Sequence, residues 1–258
     1  MSKADRNRQR AQEKIAQAKA LEARRKRNRL YLSVAGGVVV VAAAATAIAL
    51  ALGGGGANAN ANGPSTPHLS LAPIGTLGTL KAAPANTPLG PEGVPIPQGA
   101  ALASTATKTT GQVVDGIRCQ TNEQTIFHIH AHLTVFVNGL PRQVPASIGI
   151  PGASPPQDGF ISSGTCFYWL HTHAADGIIH IESPIHRIYT LGDFFDEWGQ
   201  PLGPNQVGPV TGHVTALYNG QVYKGNPRDI PLNAHAQIQL EVGTPLIAPV
   251  SVSFPNGL

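Results

Sequence analysis

The 258-residue chain carries 18 Lys and Arg against 14 Asp and Glu, and they are unevenly placed. Eleven of the basic residues and three of the acidic ones precede Leu30, so the first 29 residues are +8 and the remainder −4. The basic balance belongs to a tail and gives no evidence of a nucleic-acid surface on the folded part, so no nucleic-acid partner is expected.

Residues 1–29 read as a basic cytoplasmic arm. Residues 30–52, LYLSVAGGVVVVAAAATAIALAL, carry no charge, and at about 1.5 Å per residue these 23 positions are enough for a hydrocarbon core of about 30 Å. Arg24, Arg25, Lys26, Arg27 and Arg29 abut the N-terminal side, whereas the first Lys afterwards is Lys81. This positive-inside bias predicts a single-pass signal-anchor with everything after Leu52 extracytoplasmic, extracellular or periplasmic. A cleaved signal peptide, with Ala57 and Ala59 framing an A-x-A site, is the alternative. The membrane, reached through this one helix, is thus the partner expected, and a protein partner is left open.

Residues 53–112 contain no aromatic side chain and only Lys81, Glu92 and Lys108 as charges. Such a Gly-, Pro- and Ala-rich stretch buries too little apolar area to offset its ordering entropy, so a disordered linker is expected, with His68 incidental in it.

The folded domain is then expected over residues 113–258. In FHIHAHLTVFVNG, Phe127, Ile129, Ala131, Leu133, Val135 and Val137 alternate with His128, His130, His132 and Thr134. That is a strand with a core face and a histidine face. Asn138-Gly139 and Asn219-Gly220 predict two type I′ hairpins. CFYWLHTH and GIIHIES read as strands, and AHAQIQLEVG as a last one with Gln237 and Gln239 outward. Thr190 predicts the cap of a short helix, LGDFFDEWG. The class is α+β, one strand-dominated domain, and its order of hairpins, helix and final strand is similar to β-grasp modules.

Cys119 and Cys166 are the only cysteines, and outside the cytoplasm they read as a disulfide, with thiolate metal ligands as the competing reading. Nine of the ten histidines fall between His128 and His235. His128, His130 and His132 share a strand face, and His171 and His173 repeat the H-x-H pattern on another. Imidazole nitrogens at this spacing suit Zn(II) or Cu(II), while Met1, the only methionine, argues against a thioether Cu(I) site. The expected core ligands are His130, His132, His171 and His173, converging on one point. His128 and His180 come next, and Asp176 or Glu182 supplies an oxygen ligand or an outer acceptor. His186 reads as surface, and His213 and His235 are open.

Two other readings stand beside a metal-binding module. One is a metalloenzyme with three histidines, an open position and Asp176 or Glu182 as base, although no H-E-x-x-H, nucleophile elbow or phosphate loop is present. The other is an envelope interaction module with no metal, its histidines half-exposed and pointing to separate surfaces. HTHAADGIIHIE departs from the cupin pattern in its glycine and glutamate spacing.

HIHAHLTVFVNG, CFYWLHTH, GIIHIES and YTLGDFF, within residues 127–243, resemble a family of uncharacterised bacterial and archaeal membrane-anchored, histidine-rich proteins. The resemblance implies an extracytoplasmic module and transfers no reaction and no catalytic residue.

Overall fold

The computed structural model describes residues 69–85, 87–104 and 110–258. The arm at 1–29, the apolar run at 30–52 and His68 lie outside the described residues. Among the described residues no helix is long and apolar enough to cross a membrane.

In chain order the strands are β1 (Leu71–Ala72), β2 (Cys119–Gln120), β3 (Phe127–Val137), β4 (Leu140–Arg142), β5 (Phe167–Tyr168), β6 (Leu170–His171) and β7 (Ile178–Ser183). The helix α1 (Leu191–Trp198) follows, then β8 (Leu202–Gly203), β9 (Gln206–Val207), β10 (Val210–Thr211), β11 (Val214–Tyr218), β12 (Gln221–Tyr223) and β13 (Gln237–Val242). The predicted α+β class with a dominant sheet is what forms. Its spatial order is β1-β12-β11-β13-β3-β7-β6, with β4 hairpinned onto β3. Only the β13–β3 pair is parallel; the other pairs in this sheet are antiparallel.

The local signals act where expected. Asn138 and Gly139 take φ of 50° and 72°, and Asn219 and Gly220 take 50° and 76°, the left-handed pairs that let β3–β4 and β11–β12 turn in two residues. Thr190 Oγ1 accepts the Asp193 N–H at 3.2 Å while Asp193 Oδ2 accepts the Thr190 N–H at 2.9 Å, closing a capping box at the start of α1. Ala131, Leu133 and Val135 bury one face of β3 against a core that includes Phe194, Phe195 and Trp198 of α1. Burial of each large side chain there contributes roughly 1.5–3 kcal/mol.

Two expectations are corrected. Gln239 does not face solvent: it is 3% exposed, its Oε1 accepting the Val250 N–H at 2.8 Å and its Nε2 donating to Ile247 O at 3.2 Å. Side-chain amides and Glu241, whose Oε2 accepts the Ile247 N–H at 2.7 Å, thus bind the following extended segment over the outer face of β13. The second correction concerns the linker, because its described stretches are packed on the domain. β1 extends the sheet beside β12, Lys81 N donates to Leu246 O at 2.8 Å, Leu102 N donates to Gln143 O at 2.9 Å, and Val94 is fully buried with Ile178 and Val252. Main-chain hydrogen bonds to existing edges and a few apolar anchors order a segment that has no core of its own.

Candidate metal centre

Cross-strand register decides which histidines meet. Antiparallel pairing sets His130 opposite His180 and His128 opposite Glu182 across β3–β7, while β6 sets His171 opposite His180. One rung therefore carries three imidazoles on one face, His130, His180 and His171. His132 has Ile178 opposite it.

Four donors close a ring around this rung. His128 Nε2 is 3.1 Å from His130 Nε2, which is 3.1 Å from His180 Nδ1; that atom is 3.4 Å from Glu182 Oε1, which is 3.1 Å from His128 Nε2. Bonds of about 2.0–2.1 Å give donor–donor edges of roughly 2.9 Å in a square and roughly 3.3 Å in a tetrahedron, so the ring has the size of a coordination shell. His180 Nε2 donates to Glu92 Oε1 at 2.6 Å, the outer carboxylate contact that orients a ligating imidazole and turns its other nitrogen inward.

Charge in the ring is divided sharply. Burial, helped by the charges of His180 and His128, pushes His130 down to about 2, so it is a neutral donor at ordinary pH. Burial alone would lower His180 as well, but hydrogen bonds to Glu182 and Glu92 outweigh it and raise it to about 9. Glu182 is held below the usual carboxylate range because hydrogen bonds from His128 and His180 outweigh its burial. Two carboxylates thus hold one positive charge at the position a cation would take.

A second group adjoins the first. His171 and His173 face each other Nε2 to Nε2 at 3.1 Å, and together with His180 they offer donor atoms within 4.8 Å of one another. His171 Nδ1 donates to Tyr168 O at 2.8 Å and His173 Nδ1 to Ile161 O at 2.5 Å. His171 is lowered to about 3 by burial and by the charges of His173 and His180. Burial and His180 lower His173 in the same way. Glu123 Oε1 stands 3.4 Å from His173 Nε2 with its side chain 38% exposed, at the rim.

Of the four expected core ligands, His130, His171 and His173 join the cluster and His132 does not. Its Nε2 donates to Asp176 O at 2.9 Å and its Nδ1 meets Thr134 Oγ1 at 3.4 Å. Burial lowers it to about 4 against that hydrogen bond, leaving a neutral, satisfied core histidine. The secondary candidates His128, His180 and Glu182 take its place. Asp176 is no part of the donor groups; burial and then the charge of Glu92 push its carboxyl up to about 7. His186 packs on Phe127, His235 packs on Phe254, and neither they nor His213 belong to a donor group.

Sequence reasoning missed Glu92 and Glu123. Glu92 was legible only as the single acidic residue of residues 53–112. Glu123 lies four residues past Cys119, which is joined to Cys166 in a disulfide with Cα atoms 5.4 Å apart, so the thiolate reading of the cysteines is overturned. The bond, with the β2–β5 pair and a 2.6 Å hydrogen bond from Trp169 Nε1 to Gln120 Oε1, fixes the base of the Glu123 loop beside the strand that leads to His171.

No family model matches the chain, and the searches of curated proteins and of solved structures found no match. The donor geometry is therefore the basis for any functional reading.

Proposed function

We propose that the protein is a membrane-tethered, extracytoplasmic module that binds a divalent transition metal, Zn(II) or Cu(II), through His128, His130, His180 and Glu182. The observation that carries this is the closed ring of four donors at 3.1–3.4 Å with Glu92 on the far nitrogen of His180. Three nitrogens and one carboxylate oxygen form a donor set both ions accept. The location is supported by the uncharged run at 30–52 behind a basic arm, and by a disulfide, a bond that persists in oxidising compartments. An interaction module without metal would leave its imidazoles on separate surfaces, and five of them are instead gathered in two adjoining donor groups.

The test uses the full-length chain purified in detergent, stripped with a chelator and titrated with Zn(II) and with Cu(II). Both should bind tightly, and the double change His130→Ala/His180→Ala should lower affinity at least 100-fold with the disulfide intact. Wild-type affinity no greater than that of the reduced, unfolded chain would overturn the proposal. Protease added to intact cells should remove the domain if it lies outside, and protection would refute that location.

A further inference from the structure

The four-donor ring uses one oxygen of Glu182. The other, Oε2, is buried and has no hydrogen-bond partner among the described residues, in a side chain only 5% exposed. A buried carboxylate oxygen left so carries an uncompensated desolvation cost. Beside the ring, the pair His171 and His173 presents a second unmet demand. Carbonyl oxygens only accept, so the bonds to Tyr168 O and Ile161 O make Nδ1 the donor in both rings and aim the two Nε2 atoms at each other, 3.1 Å apart. A hydrogen bond between them needs an extra proton on one Nε2, whereas a single cation would take a bond from both. His180 does not resolve this, because its Nδ1 belongs to the first ring and its Nε2 to Glu92. Donor atoms of Glu123, His171 and Glu182 also lie within 4.8 Å of one another.

We infer that Glu182 bridges two divalent transition-metal ions, the first in the ring of His128, His130 and His180, the second held by His171, His173 and Glu123. The inference rests on the proposed reading of that ring as a metal site. Paired metal sites of this kind hold their ions about 3.5–4 Å apart. The second position takes two nitrogens and two carboxylate oxygens, again a donor set for Zn(II) or Cu(II). Because Glu123 is 38% exposed, this position faces solvent and is the one that exchanges.

Cu(II) titration of the stripped full-length protein, read by equilibrium dialysis and electron paramagnetic resonance, tests the bridge. The wild type should take two equivalents, the first giving an isolated-ion spectrum and the second reducing the integrated signal per copper with a half-field transition from coupling. Glu123→Ala, a change on a partly exposed loop, should take one equivalent and keep the isolated-ion spectrum, with unchanged circular dichroism. Saturation of the wild type at one equivalent overturns the bridge and leaves the first site standing. Two uncoupled equivalents, or two retained by Glu123→Ala, place the second ion elsewhere and overturn it as well. No binding at all overturns both this inference and the reading of the ring.

Discussion

His130 and His132 stand two residues apart on the same face of the same strand, and both are 3% exposed, yet one joins a ring of donors and the other is a core residue. The difference lies in what β7 sets opposite each. His130 meets His180, whereas His132 meets Ile178 at the end of the pairing, where the chain turns and the Asp176 carbonyl caps its Nε2. A histidine string is therefore a set of candidates, and the neighbouring strand selects among them.

The largest expected effect breaks the comparison directly. His130→Ala should weaken binding at the four-donor ring sharply in dialysis, while His132→Gln should leave metal stoichiometry unchanged and instead lower thermal stability. Equal metal loss in both would mean the two positions share one role. Next, Glu92→Gln should weaken metal affinity about 10–100-fold without changing the ligand set, as loss of an outer hydrogen-bond acceptor does.

A pH series sharpens the contrast in the metal-free protein. The folded chain holds His132 near 4 and His171 near 3, below the unfolded value of 6.5. From 6.5 down towards those values the unfolded chain binds more protons, so the stability these groups contribute is complete above 6.5 and falls as pH falls. Denaturant midpoints should decline across that window, and a flat profile from 6.5 to 4 would contradict the buried neutral state. The smallest effect is expected for Thr134→Val, which removes the 3.4 Å contact to His132 Nδ1 and should cost at most about 1 kcal/mol, measured by urea unfolding, with metal affinity unaltered.

Much of this architecture was legible because its signals are local. Alternation from Phe127 to Val137, the two Asn-Gly turns and the Thr190 cap each need only a few neighbouring residues to act. What stayed hidden depends on partners distant in the chain. Nothing near His132 or His180 in the sequence records that β7 pairs so as to favour the second. The ordering of residues 69–85 and 87–104 was missed because it relies largely on main-chain groups, which composition does not report, and Glu92 was missed with it. Gln239 was misplaced for a similar reason: a polar residue on an alternating strand is buried when a later segment comes to bond it.

The parallel pairing of β13 with β3 has a consequence for how the protein is made. Residues 132–137 hydrogen-bond along one side to residues 237–242, about a hundred positions later in the chain. During synthesis β3 therefore waits with an open edge, carrying its histidines on a half-finished sheet, and that edge is a template for mispairing with another nascent chain. Ribosome-stalled or truncated chains ending before β13 should therefore aggregate, where the full-length chain stays monodisperse.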